Sequence, residues 1–425
     1  MAENRCNSTP NRVQSVGANS PTKYPTVGDA DAMFAERTLA ITLAVVMVSS
    51  MAFGATLAVA PAVSAEEADE HESYAGTHLS FVTTADALAE YTVEGDQMIG
   101  SVEVESASDA EQRGILGVGV DLATVTSLQA SALTVQTTSE TSVQVESDTG
   151  ASIEAHDSQR GHLVIHAEGE GQLVTANVSS DAQATQESDS KVVVTKDDGT
   201  EGVFIVVGEG SVAVNEAGNV TAELVQDAKL TYQQYDDERD EEDEHREELI
   251  ANGTAAAEMY VTVDAEAEGE AVAEVVHYGH DTTVDVVTTA ENEIHVTAER
   301  TESEGRIIIT SISEQAYESA SELEVMVDGE AATHVESMSE LEAAAAGGDN
   351  SAYMVRHAST ADASAEVLIG VNHFSERDIV MSTDGAETPD DGDGDDDIVE
   401  ENPGFGAAIA GIAVAIAALI AARRR

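Results

Sequence analysis

The chain has 425 residues, is 42% hydrophobic, and carries 82 Asp and Glu against 18 Lys and Arg, for a formal net charge of -64. That hydrophobic content excludes a simple disordered polyelectrolyte and supports one or two folded domains. The charge excludes nucleic-acid binding, because phosphates would be repelled, and the single Cys6 excludes an intramolecular disulfide.

Like charge at this density opposes compaction in dilute salt, whereas at molar salt the Debye length falls to roughly 3 Å and the repulsion is screened. The acidic residues are spread through apolar segments instead of being pooled in a tail. The sequence therefore predicts a folded protein with an acidic surface suited to concentrated salt.

Residues 1–65 read as a leader. Arg37 precedes an apolar stretch, Pro61 lies near its end, and Val63 and Ala65 define a small-residue signal cleavage site. A start at Met1 gives an unusually long n-region of 36 residues, and a start at Met33 gives a more ordinary signal. Because the apolar stretch is long, an uncleaved N-terminal membrane helix is the alternative. Cleavage would remove Cys6, leaving no thiol for catalysis.

Residues 66–235 read as a β-rich domain. Period-two alternation recurs in "ALTVQTT", "SVQVESD", "SIEAHD", "HLVIHAEG", "QLVTANV", "KVVVTK", "GVFIVVG" and "SVAVNEAG", separated by turn residues. The charged block from Asp236 to Ile250 breaks this pattern, so 236–254 is predicted as an acidic connector or surface helix. Residues 255–383 resume the β pattern, with one helix placed by a capping box of Ser339 and Glu342 and ended by Gly347 and Gly348. The predicted fold is mainly β: an antiparallel, sandwich-like ectodomain with few short helices and a C-terminal transmembrane helix. A β-solenoid is the alternative, and the lack of a repeat with a fixed side-chain signature favours the sandwich.

Residues 384–402 read as an acidic, self-repelling linker. Asp391, Asp393 and Asp395 alternate there, but an EF-hand would need Gly and Glu where Asp396 and Asn402 stand. Residues 403–425 follow, in which Gly406 to Ala422 is an uncharged run long enough to span about 25 Å as a helix. The positive charge of Arg423, Arg424 and Arg425 would stay in the cytoplasm and leave the acidic bulk outside.

Pro403, Gly404 and Phe405, a short Ala/Ile/Gly span and a terminal Arg cluster, in an exported acidic chain, resemble the PGF-CTERM sorting signal of haloarchaeal surface proteins. The resemblance implies that an archaeosortase, a membrane-embedded cysteine transpeptidase, recognises the tripeptide, removes the tail and leaves the protein on a membrane lipid. Many relatives carry a Thr-rich stretch before the signal, and this chain carries an acidic one.

Three Asn-x-Ser/Thr sequons, at Asn177, Asn219 and Asn252, are candidates for N-glycosylation. His162 and His166 would share a strand face, and His277 and His280 stand three apart. Neither pair has a third ligand, so no metal site is assigned. With carboxylates this abundant, paired acids carry no catalytic meaning, and no nucleophile elbow, zinc-protease or phosphate-loop motif occurs. No enzyme activity and no cofactor is assigned, beyond diffuse divalent-cation binding to carboxylates. The expectation is a cell-surface protein on the outer face of the membrane with a structural or envelope-layer role. Its partners would be an archaeosortase, a membrane lipid, and itself or other envelope proteins. A ligand-binding or adhesion module is the alternative, and a surface hydrolase comes third.

Overall fold

The computed structural model describes residues 72–117, 121–139, 141–235, 238–263, 271–279, 281–290, 293–301, 303–313, 323–356 and 363–382. All belong to a single unit of the chain. The leader with Val63 and Ala65, the acidic linker, Pro403, Gly404 and Phe405, the apolar run and Arg423, Arg424 and Arg425 lie outside the described residues.

Four sheets hold the strands. The first, sheet A, comprises β1 (Glu72–Ala75), β2 (Leu79–Thr83), β3 (Leu88–Val93), β4 (Asp96–Ser106), β9 (Gln172–Val178), β14 (Val220–Leu224) and β13 (Gly210–Val214), in that order. Sheet B has the order β10 (Ala182–Ser188), β11 (Lys191–Lys196), β12 (Glu201–Val207), β15 (Lys229–Tyr235), β8 (His162–Ala167), β7 (Ala151–His156), β6 (Ser142–Ser147), β5 (Leu133–Thr138). Sheet C runs β17 (Ala271–His277), β16 (Ala255–Val263), β20 (Glu304–Ser313), β25 (Ala363–His373), β24 (Ala352–Arg356), β23 (Thr333–His334). Sheet D runs β18 (Thr282–Ala290), β19 (Glu293–Arg300), β26 (Glu376–Ser382), β21 (Glu324–Val327), β22 (Glu330–Ala331). Pairing is antiparallel except for β16 with β20 and β23 with β24. The fold is mainly β, as the alternation predicts, and it is not a solenoid.

Period-two side-chain geometry stacks these sheets into four layers. Leu163, Ile165, Phe204 and Val206 point from sheet B into a core shared with sheet A, whereas Val164, Val203, Ile205 and Val207 of the same strands point the other way. That second face meets Ile307, Ile309, Met354 and Leu368 of sheet C. Ile308, Ile312, Val367 and Ile369 leave the opposite face of sheet C to form a third core with Val296, Val325 and Ile379 of sheet D. Sheets B and C are thus buried on both faces, which is why "VFIVV" and "III" read as continuous apolar runs while outer strands alternate.

Three helices are described: α1 (Ala107–Arg113), α2 (Glu241–Ala251) and α3 (Met338–Ala345). α2 begins with a capping box: the Asp240 carboxylate accepts from Glu242 N and Asp243 N at 2.8 and 2.9 Å, and Asp243 accepts from Asp240 N at 3.3 Å. Four acidic residues in its first turn suit the positive end of the helix dipole. α2 is the helix the charge block suggests, with Glu241, Glu242, Glu244 and Glu248 exposed, but its other face is not solvated. Asp243, Arg246, Glu247, Leu249 and Ile250 are buried, and Leu249 and Ile250 join the core between sheets B and C.

α3 also differs from expectation at its start. Ser337, not Ser339, is the N-cap; it makes no side-chain bond to the helix backbone and donates to Glu340 at 2.8 Å instead. Its end is as read, with Gly347 at φ +102°. α3 lies on sheet C where Gly370 leaves room, since a Cβ there would come within 2.9 Å of the Leu341 carbonyl oxygen. Alternation in the sequence left β1 to β4, the polar edge strand β10, β14, β15, β22, β23 and β26 unmarked.

Candidate functional site

The densest chemistry among the described residues lies in the seam between sheets B and C, and α2 organises it. Arg246 is fully buried at the helix centre. Its guanidinium donates to Glu366 of β25 at 3.1 Å, to Asp243 one turn earlier at 3.0 Å, and to the Tyr235 hydroxyl of β15 at 3.4 Å. Arg160 reaches the same Asp243 at 3.4 Å, and both guanidiniums lie on the Tyr235 ring, at 4.9 and 5.7 Å from its centroid. Arg356 of β24 closes the other oxygen of Glu366 at 2.7 Å.

Glu258 of β16 is the deepest carboxylate of the seam, with no exposed surface. It accepts from the Tyr260 hydroxyl, from the Tyr278 hydroxyl at 2.6 Å, and faces His162 at 3.7 Å and Arg246 at 3.9 Å. Burial alone would raise its pKa, but Arg246 and His162 overcome that and hold the carboxyl well below the usual carboxylate range. Burial lowers the pKa of His162, and Glu258 opposes this only in part. His162 is therefore neutral near pH 7, and the network assigns its tautomer: Nε2–H donates to Gln233 Oε1 at 3.1 Å and Nδ1 accepts from Ser158 at 3.0 Å.

Two further clusters flank this centre. Glu247 of α2 binds Arg239 at 2.6 Å, Lys191 at 3.0 Å and the Tyr235 hydroxyl at 3.0 Å, while Arg239 also reaches Glu187 at 2.7 Å. At the other end, Glu274 of β17 accepts from His156 at 2.7 Å and Thr141 at 2.5 Å, and Lys229 donates to the His277 carbonyl at 2.8 Å. From Arg113 to Arg377, both included, the chain has eleven Lys and Arg. Six of them, Arg160, Lys191, Lys229, Arg239, Arg246 and Arg356, meet in this seam.

Chemically the seam is closed. Most of its charges pair with one another, although Arg246 Nε and Arg356 Nε have no hydrogen-bond partner among the described residues and Lys229 donates to backbone carbonyls. Of the two open grooves beside α2, the one of about 610 Å³ is lined chiefly by the acidic side of the helix and the one of about 550 Å³ chiefly by His334, Val335, Met338, Met354 and Arg356. No group of three metal-ligating side chains gathers among the described residues. His162 and His166 do share a strand, but His162 is locked in the seam and His166 lies beside Glu168 at 3.4 Å. His277 accepts from Val284 N at 3.1 Å, and His280 lies outside the described residues.

The sequons separate sharply. Asn219 Nδ2 donates to Asn177 Oδ1 at 2.8 Å, and Asn177 Nδ2 donates to Ser101 at 2.8 Å, so both amides are engaged on sheet A. Asn252 is exposed at the C-cap of α2, where its Oδ1 accepts from Thr254 N at 3.1 Å. The seam itself could not be read from one sequence, since Arg246 and Glu366 are 120 positions apart. The one local signal was the basic pair Arg239 and Arg246 embedded in an acidic block.

No family model matches this chain, and no curated protein matches it. Among solved structures, the crystal structure of a heparan sulfate lyase HepC mutant from Pedobacter heparinus is similar over 52% of this chain and 38% of that one, at 10% identity and a TM-score of 0.21. A likeness of that size transfers neither fold nor activity.

Proposed function

We propose that this protein is an exported structural component of a cell surface, held at the outer face of the membrane through its C-terminal signal. The observation that carries the reading is where its cations sit. Most of the described Lys and Arg are drawn into the B–C seam, which fuses two sandwiches into one four-layer body and leaves the outer faces dominated by carboxylates. Such a body suits a rigid envelope element in concentrated salt.

Among the described residues Val225 is the sole large hydrophobe that is exposed, so attachment falls to the Ala/Ile/Gly run beyond Pro403, Gly404 and Phe405 and its Arg423, Arg424 and Arg425. No described helix is long and apolar enough to cross a membrane. Processing by an archaeosortase, lipid attachment and a haloarchaeal setting belong to this proposal and rest on the sorting-signal resemblance.

The test is the intact mass of the native membrane-associated protein beside a variant with Pro403, Gly404 and Phe405 replaced by alanines. The proposal expects a wild-type mass lacking leader and tail and carrying a lipid increment that the variant lacks. A wild-type tail still present would overturn sorting and leave a single-span anchor.

A further inference from the structure

Sheets A and B share a core, but along one side they end in the free edge strands β1 and β5 and do not close. A cavity of about 300 Å³ opens there. Tyr74 and Phe81 of sheet A and Val135 and Val143 of sheet B form its walls, and Thr138 and Glu72 lie at the rim.

Two features set this cavity apart from an ordinary crevice. The first is its aromatic wall. The chain has only nine Tyr, six Phe and no Trp, yet five of these fifteen rings form one ladder. Tyr74 stacks on Phe81 at 5.5 Å, Phe81 on Tyr91 at 6.0 Å, Tyr91 meets Tyr232 edge-on at 6.2 Å, and Tyr232 meets Phe204 at 4.8 Å. The Tyr74 ring at the mouth is therefore backed by a rigid column and needs no ordering to receive a ligand.

The second feature is Thr83. Along β2 it follows Leu79 and Phe81 at period two, so it occupies a core-facing position at which the pattern calls for an apolar residue. Thr83 lines the cavity and is 5% exposed, and its Oγ1, itself shut off from solvent just behind the wall, has no hydrogen-bond partner among the described residues. A buried hydroxyl left unpaired is costly to keep, and a ligand in the cavity would supply the missing bond.

We infer that this mouth is a binding site for a neutral pyranose, the terminal residue of a glycan, whose C–H face lies on Tyr74 while ring hydroxyls reach Thr83 and Thr138. The equal mix of apolar wall and hydroxyl-bearing or charged rim fits a sugar better than a wholly apolar ligand. Glu72 at the rim disfavours an anionic one. Burial, with Asp157 and Glu274 nearby, also pushes the Tyr74 phenol up to about 12, so that ring presents an uncharged platform.

The test uses the full chain in molar salt, titrated with methyl β-glucopyranoside and methyl β-galactopyranoside by saturation-transfer NMR. Glucuronate and benzyltrimethylammonium serve as anionic and cationic controls. At least one neutral pyranoside should bind, receiving saturation on its ring C–H protons, and Tyr74→Leu should abolish this. Thr83→Val, nearly the same shape, should weaken binding about tenfold, the worth of one hydrogen bond, while leaving Tm equal or higher. Absence of pyranoside binding, preference for either charged control, or a Thr83→Val protein that keeps full affinity would each overturn the inference.

Discussion

Arg246 of α2 and Glu258 of β16 face each other across 3.9 Å at the centre of the molecule, and neither has appreciable contact with solvent. The attraction is offset by the cost of dehydrating both ions, so the pair adds little net stability. What it imposes is dependence, because losing one partner strands the other.

Arg246→Met should therefore destabilise the protein by about 3–5 kcal/mol, the usual cost of breaking a buried pair. Arg306→Ala, which removes a cation paired at 3.7 Å with the exposed Glu304, should cost under about 1 kcal/mol. Denaturant midpoints in molar salt measure both, and equal losses would show that the seam is not special.

Acid should unfold the protein in two stages. Burial lowers the folded pKa of His162, His166 and His277, so all are neutral in the folded state while the unfolded chain takes up protons below pH 6.5. Stability is then full above that value and declines as pH falls through it. Glu258 and Glu274, both lowered by their partners against the effect of burial, add a second loss below about pH 4.5, where the unfolded carboxyls protonate first. Tm measured from pH 8 to 3 should show both limbs, and His162→Gln should shrink the upper one.

Of the three sequons, only Asn252 is free to carry a glycan in the folded protein. Asn177 and Asn219 are half-buried and use their amide nitrogens in a chain of hydrogen bonds ending on Ser101, so a glycan on either nitrogen would crowd the partner it donates to. Glycopeptide mapping of the native protein should find modification at Asn252 and none at the other two. Modification at Asn177 or Asn219 would contradict this reading of sheet A.

Salt should stabilise the protein. The outer faces carry the acidic excess, which molar salt screens, whereas the buried seam is screened little. Raising KCl from 0.1 M to about 2 M should raise Tm, chiefly by relieving surface repulsion. A Tm that falls with salt would mean that exposed ion pairs, not the seam, hold the layers.

Much of the fold was legible because many strands obey period two: Ser142–Ser147 and Glu293–Arg300 alternate between buried and more exposed positions along their length. The continuous runs at Val203–Val207 and Ile307–Ile309 held a further message, that their sheets are covered on both faces, since one-sided strands alternate. The charge block around α2 misled for a physical reason. Charge usually marks a solvated face, but here Asp243, Arg246 and Glu247 neutralise partners supplied by β11, β15, β16 and β25. Lys191 and Glu366 lie 56 and 120 positions away, and even the nearer Tyr235 and Glu258 sit on the strands before and after the helix, so no helical spacing marks them. The displaced N-cap of α3 is a smaller case, in which Ser337 and Ser339 compete and the structure starts the helix at the earlier residue.

A seam that binds sheets B and C makes the four layers a single cooperative body. Scanning calorimetry of the purified protein in molar KCl tests it most directly. One transition is expected, with calorimetric and van't Hoff enthalpies that agree. Two resolved transitions, one for each sandwich, would contradict it.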